Sequence, residues 1–351
     1  MRNNYEHALT NIKEVTIMEL HNIPKLFGIN AHTEISPLKK GHINQTFLVE
    51  CDDTKYVLQS LNRVIFYSPE AIMSNISKIE KAFENSTEGL ITVPHYLNSN
   101  GRNFAVDGNE FWRMYKYIKN GKCSRKYSDK CYLAGRSFGT FIKITANEKL
   151  SPAIENFHSF DSYFEKYLSF HSNSNKEKIG CPFIEIFREL KNILSELFTL
   201  DLIQRNIHGD AKIDNIIMGK TCTVIDLDTA MTGFAAIDFG DLVRSACTIN
   251  RSDHLKIIKN IAEGFADGLD GILTVPEINS LYYGILYVTG ELAMRYFISY
   301  ISEDNYFNGK TPADCFRRGC ELMRQLLFFS MKEEKIKNIV FSAFGVQNGS
   351  L

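Results

Sequence analysis

The sequence has no C-x-x-C pair, although it carries eight cysteines, at 51, 123, 131, 181, 222, 247, 315 and 320. Without that spacing there is no zinc pattern. Cys222 and Cys247 stand in apolar company and read as small buried hydrophobes. Neither sign of charge prevails: 40 Lys and Arg face 41 Asp and Glu, a formal net charge of -1. A chain so balanced has no general attraction to nucleic acid or to a membrane surface, and it argues against strongly charged substrates. A long unbroken apolar run is missing too. The most apolar stretch, LYYGILYVTGELAMRYFISYI, is interrupted by Glu291 and Arg295, which argues against a membrane span. The first residues, MRNNYEHALTNIKEV, hold no apolar core of a signal peptide. The expectation is a cytoplasmic protein with reduced cysteines. No repeat, no low-complexity run and no obligate protein partner is evident.

What is present has the size of two domains or one bilobal unit, since 351 residues exceed what a single core usually holds. INQTFLVE and KYVLQSL flank a CDDT turn and predict a hairpin. NSNG and DG bracket RNFAV, and NEFWRMYKYI follows as the next strand. Between these groups, Ile72, Met73, Ile76, Ile79 and Phe83 recur at helical spacing, with Ser68 as N-cap and Pro69 in the first turn. After KNGKCS the chain turns helical. CPFIEIFRELKNILSELFTLDLIQR sets Ile186, Phe187, Leu190, Ile193, Leu194 and Leu197 on one face, and three further helices follow from His254 onward. HGDAKIDNIIMGKTCTVIDLD is the one clear β interruption, a hairpin turning at Gly219 and Lys220. The predicted fold is α+β and bilobal: a small antiparallel-sheet lobe with one helix over residues 1–118, and a larger, mainly helical lobe over 119–351.

The chemistry concentrates in that β interruption. Asp210 and Asn215 are five apart with Lys212 between them, and VIDLD adds Asp226 and Asp228 at a strand end. A hairpin returns Asp226 to Asn215, and an amide oxygen beside a carboxylate suits Mg²⁺ that keeps its waters and binds phosphates. Asp210 then stands free to accept a proton from an attacking hydroxyl, while Lys212 neutralises the transferring phosphoryl group. This is the division of labour of kinases. Asp228 is open among a supporting contact, a metal contact and a turn cap, and it counts with Asp210 among residues facing the acceptor. Asp238 and Asp241 of DFGD follow the Asp226 strand and read as loop-orienting residues.

HGDAKIDN and VIDLD resemble the catalytic and metal-binding segments of the aminoglycoside phosphotransferase and choline kinase superfamily, which is protein-kinase-like in fold. More narrowly, GHINQTF, YVLQSLN, FWRMYKYI, VIDLDTAMTG, DFGDLVRSA and ELAMRYFISYI together resemble the N-acetylhexosamine 1-kinases, over about residues 36–325. The resemblance implies ATP, Mg²⁺ and transfer to the anomeric hydroxyl of N-acetylglucosamine or N-acetylgalactosamine. It implies that residues 1–118 bind the nucleotide, with Gly41 in a phosphate hairpin and Tyr115, Tyr117 and Ile118 at the adenine edge. His208 then holds the catalytic loop by hydrogen bonds. Gln59 takes the position of the kinase strand lysine, with Arg63 as a nearby source of charge and Glu80 as an ion-pair partner. His42, Asn44 and Arg295 are the candidate sugar ligands, Arg295 paired with Glu291. Alternatives are an aminoglycoside, choline or other sugar kinase of the same superfamily, or a non-catalytic binding protein.

Overall fold

The structure is a computed structural model that describes residues 20–38, 44–63, 66, 68–119, 121, 126–152, 154, 157–172, 177–198, 202–248, 253–303, 307 and 309–346. Gly41 and His42 lie outside the described residues. The chain is α+β, with an antiparallel sheet first and helices after it. Strands β1 (Glu34–Pro37), β2 (Gln45–Cys51) and β3 (Thr54–Ser60) form a meander. Asp52 takes a left-handed conformation (φ 49°) in the two-residue turn between β2 and β3. Helix α1 (Pro69–Glu84) starts at Ser68, whose side chain accepts the Ala71 N–H, and it buries Ile72, Met73, Ile76 and Ile79. A short strand β4 (Ile91–Thr92) follows, then β5 (Ala105–Asp107) and β6 (Glu110–Lys116). The sheet order is β1-β2-β3-β6-β5.

Strand β6 is buried on both faces, which is why FWRMY is almost wholly large residues. Trp112 and Met114 pack with Phe47, Val49 and Leu58 on one face. Phe111 and Tyr115, on the other, join the main core shared with the later helices. Arg113 lies between them in the strand and therefore points at the later lobe as well.

The second part begins with α2 (Tyr127–Ile144), α3 (Phe160–Ser172) and α4 (Glu177–Phe198). Strand β7 (Arg205–Ile207) leads to a 3₁₀ turn at Ile213–Asn215 and the hairpin of β8 (Ile216–Met218) and β9 (Cys222–Val224). A second 3₁₀ turn, Leu227–Thr229, precedes β10 (Met231–Gly233), which pairs with β7. Helices α5 (Ala235–Ala246), α6 (His254–Leu269), α7 (Val275–Ser302), α8 (Pro312–Met331) and α9 (Glu333–Ala343) complete the chain. Among the described residues, no helix is long and apolar enough to cross a membrane.

Three expectations change. The helix expected to run to Arg205 ends at Phe198, and Arg205–Ile207 is a strand. Ile186 and Ile193 are 41% and 45% exposed, so the buried stripe of α4 is Phe187, Leu190 and Leu194. The β interruption is also larger than the hairpin. β7 and β10 flank it, and β4 joins β9 in parallel, so residues 91–92 sit in the later lobe's sheet. These strands have two or three residues, too few for an alternation to register.

Two features fix the scaffold around the site. Asn75 of α1, almost fully buried, donates to the carbonyls of Ser151 and Ala230 and accepts the Ser151 N–H, joining the two parts at the back. Helices α5 and α7 cross at glycines. A Cβ on Gly240 would lie 2.2 Å from the Gly284 carbonyl oxygen, and one on Gly284 2.0 Å from that of Ala236. Gly284→Ala should therefore destabilise the protein by about 2 kcal/mol or more, since backbone rather than a side-chain tip is in the way. Gly89→Ala, where a Cβ meets nothing within 4 Å, should cost less than about 0.5 kcal/mol. Urea denaturation of both variants checks this contrast.

Candidate functional site

The segment between β7 and β8 is held from beneath by a buried carboxylate. Asp238, at the first turn of α5, accepts the backbone N–H groups of His208 (2.7 Å) and Gly209 (2.8 Å). Burial pushes its carboxyl up, against the pull of His208 and these two hydrogen bonds. Gly209 has φ 78°, and a Cβ there would lie 2.5 Å from the Thr229 carbonyl oxygen, so only glycine fits. The His208 ring packs edge-on to Phe138 and Phe141. Its Nδ1 accepts the Asp210 N–H (3.3 Å), so Nε2 carries the hydrogen given to the Ile225 carbonyl (2.9 Å). His208 thus ties the loop to the end of β9 and faces no open space.

Asp210 is the loop's partly exposed acid. Its Oδ2 accepts both Lys212 Nζ (2.6 Å) and Asn215 Nδ2 (3.0 Å), leaving Oδ1 uncommitted in these contacts. Burial works to raise its carboxyl, but Lys212 and the hydrogen bonds prevail and hold it below the usual range. Asn215 Nδ2 also donates to the Asp210 carbonyl (2.8 Å), so the amide is oriented with nitrogen toward Asp210. The Asn215 side-chain oxygen is then the atom free to act as a ligand.

The β8–β9 hairpin delivers the second acid. Ile216 pairs with Val224, and the ladder ends with the Ile225 N–H on the Asn215 carbonyl (2.9 Å). Asp226 comes next, in a left-handed conformation (φ 63°). Its side chain meets solvent in the cleft yet is crowded by protein on its other sides. That crowding first, then Asp228 and Asp210, pushes its carboxyl up to about 6. Among the described residues no group of three His, Cys, Asp or Glu could hold a metal. The Asn215–Asp226 pair offers two hard oxygens, which fits Mg²⁺ bound with water and phosphate rather than a caged transition ion.

Asp228 is 3% exposed and faces the sheet. Arg113, 1% exposed, grips it with both terminal nitrogens, Nη2 to Oδ2 at 3.0 Å and Nη1 to Oδ1. Asn44 donates to the same Oδ2 (2.7 Å), and its own oxygen accepts the Asn62 N–H (3.1 Å). Asn44 and Asp228, read as acceptor-facing residues, are thus engaged with each other. Gln59 accepts from Arg113 Nε (2.9 Å) and donates to the Thr46 hydroxyl (3.2 Å). Arg63 instead reaches the Asn109 carbonyl, and Glu80 accepts the Tyr96 N–H beside His95. Neither meets Gln59. In the connector, Tyr115 is buried edge-on to Tyr96, the Tyr117 N–H binds the Lys55 carbonyl, and Ile118 is half-buried.

On the opposite side a charged cluster backs the loop. His158 lies 2.6 Å from the Gly209 carbonyl oxygen through Nε2 and 2.9 Å from Glu291 through Nδ1. Both neighbours are acceptors, so both ring nitrogens donate and the ring is charged. Burial opposes this, but Glu291 and the Gly209 carbonyl outweigh it and hold His158 up to about 9. Arg295 lies 3.6 Å from Glu291 and stacks against Phe157 (5.9 Å) and Tyr163 (5.4 Å). Asp241 is occupied by Arg244, three residues on.

Sequence reasoning missed Arg113 and His158. An arginine inside the apolar FWRMY strand was a usable signal, because a buried guanidinium demands a partner. His158, alone in IENFHSF, offered none.

Residues 34–270 match the profile of the phosphotransferase enzyme family, APH. The chain belongs to that family. Solved structures with a similar fold include a choline/ethanolamine kinase family protein from Mesorhizobium loti, 17% identical over 92% of this chain and 97% of its own, with a TM-score of 0.63. A microcompartment-associated aminopropanol kinase is 13% identical over 92% of this chain and 99% of its own, with a TM-score of 0.63. Spectinomycin phosphotransferase, solved with ADP and spectinomycin, is 14% identical over 94% of this chain and 99% of its own, at 0.57. The phosphotransferase therefore shares their two-lobed, kinase-like architecture.

The His158–Glu291 bond makes a pH prediction. The folded-state value of about 9 lies above the ordinary 6.5, so the bond's contribution is complete below about pH 6.5 and is lost as pH rises toward 9. The parent should lose roughly 3 kcal/mol over that window. His158→Gln should remove this slope when unfolding free energies are compared across pH.

Proposed function

We propose that the phosphotransferase moves the γ-phosphoryl group of ATP to the anomeric hydroxyl of an N-acetylhexosamine, N-acetylglucosamine or N-acetylgalactosamine. Residues 1–118 are assigned to the nucleotide, Gly41 to its phosphates and the backbone of Tyr115 to Ile118 to its adenine edge. Residues 119–351 carry the base and the acceptor site. Asn215 and Asp226 would hold Mg²⁺, which supplies positive charge to the phosphates. The sugar hydroxyl gives its proton to Asp210 Oδ1 while Lys212 and Asn215 keep Oδ2 in place. Oxygen attacks phosphorus, and ADP leaves with the former bridging oxygen. An anomeric hydroxyl is more acidic than an ordinary alcohol, so a base of depressed pKa is adequate. Lys212 faces the transferring group. The products are ADP and a sugar 1-phosphate.

The observation that carries the acceptor class is Arg295. It stands one residue pair from the catalytic loop, through Glu291 and His158, with its guanidinium against Phe157 and Tyr163. Aromatic rings that would cage a quaternary ammonium already face a cation of the protein's own. Glu291 and Asp241, the nearby acids a polycation would need, are matched by His158, Arg295 and Arg244. A neutral polyhydroxylated acceptor, bound by hydrogen bonds from Arg295, suits such a surface better than choline or an aminoglycoside.

Asp210→Asn should keep nucleotide binding and lose roughly 10²–10⁴-fold in turnover. Normal turnover in that variant would move the base elsewhere.

ATP consumption against N-acetylhexosamines, their methyl glycosides, other sugars, choline and aminoglycosides tests the acceptor. Free N-acetylhexosamines should be phosphorylated and the methyl glycosides should not, because only the anomeric oxygen differs. Arg295→Ala should raise the sugar KM about 10–100-fold and the ATP KM far less. Equal use of the methyl glycosides would refute transfer to the anomeric oxygen. Turnover confined to choline or aminoglycosides would refute the sugar.

A further inference from the structure

Strand β3 carries an uncharged amide, Gln59, at the position of the protein-kinase strand lysine. The positive charge at this spot comes from the next strand. Arg113 is the residue directly across from Gln59 in the β3–β6 ladder. All of its described hydrogen bonds point into one network: Nε to Gln59 Oε1 (2.9 Å), Nη2 to Asp228 Oδ2 (3.0 Å) and Nη1 to Asp228 Oδ1. The Tyr96 ring lies 5.3 Å from the guanidinium carbon and closes the remaining side. Asp228 sits two residues past Asp226, inside the turn that Asp226 begins. The same carboxylate holds Asn44, at the end of the β1–β2 connection, by the 2.7 Å bond from Nδ2.

We propose that Arg113 is a positioning residue for phosphoryl transfer, fixing the Asp226 turn and, through Asp228, Asn44 against the sheet in place of the strand lysine. This rests on the kinase reading above. Gln59 is then no lost catalytic group. It is the acceptor that orients Arg113, and a lysine at 59 would bring an ammonium against the guanidinium. The guanidinium fork suits the task because two parallel bonds fix a carboxylate's orientation as well as its distance. Asp226 holds a left-handed backbone (φ 63°), a conformation that lasts only where its surroundings enforce it. With Asp228 clamped on one side and Ile225 paired to Asn215 on the other, the turn has no freedom to relax. Arg113 is almost completely buried and acts through Asp228, not on the substrate.

The test reads nucleotide binding without any acceptor, using a fluorescent trinitrophenyl-ATP titrated with Mg²⁺, and adds kinetics where a sugar is turned over. Arg113→Lys keeps the charge and loses the fork. It should need about 10–100-fold more Mg²⁺ for half-maximal binding, with kcat reduced and the sugar KM unchanged. Gln59→Met leaves the Asp228 fork in place, removes the acceptor for Nε together with the bond given to the Thr46 hydroxyl, and should shift the Mg²⁺ requirement the same way, by less. The Mg²⁺ dependence of the parent, retained in Arg113→Lys, overturns the proposal even if the melting temperature falls. Should Arg113→Lys not fold, Gln59→Met decides by the same criterion. A parent that binds the nucleotide with Mg²⁺ but phosphorylates no sugar removes the acceptor reading and leaves this one to the titration. A parent that binds no nucleotide removes both.

Discussion

Asp238 accepts two consecutive backbone N–H groups, from His208 and Gly209, and the geometry of the cleft depends on that pair of bonds. They fasten the loop bearing Asp210 to the first turn of α5. Helix α5 lies against α7 with glycine on both sides, so neither helix can slide without a backbone clash. Helix α7 carries Glu291, which returns through charged His158 to the carbonyl of the same Gly209. Gly209 is therefore held by its N–H from α5 and by its C=O from α7. Asp210, next to it, inherits a position set by two packed helices, as its proposed role of base requires.

Charge matching follows the same logic across the cleft. A carboxylate removed from water is tolerated when cations and N–H donors replace the solvent. Asp228 has Arg113 and Asn44, Asp241 has Arg244, Glu277 has Arg205, and Glu291 has His158 and Arg295. Asp226 stands apart: it is exposed, and its acidic neighbours Asp228 and Asp210 add to local crowding in pushing its carboxyl up.

The fold was legible where a pattern ran long enough. The β2–β3 hairpin, the Ser68 cap of α1, the Gly219 turn and the helices from His254 onward all lie where periodicity and turn chemistry put them. Helix α2 went unlisted because Gly135 and Gly139, which meet α6, stand among its buried apolar residues, and glycine reads as a breaker when the partner helix is unseen. Strands β4, β7 and β10 are too short to alternate. Within the site, the meeting of Asn215 with the Asp226 strand was legible from hairpin length alone. The partnership of Asn44 with Asp228 was not, because it joins residues 184 apart in the chain. Arg113 pairs across 115 residues and is invisible to any local window.

Asn75 sits at the rear of the cleft, fastened to Ser151 and Ala230 by three hydrogen bonds, while Arg113 and Asp228 join the sheet to the Asp226 turn deeper in front of it. Both fastenings are buried and both cross from the early residues to the later ones. A sheet pinned at two buried points keeps its spacing to whatever lies beside the pins, and the Asp226 turn is bound to one of them through Asp228.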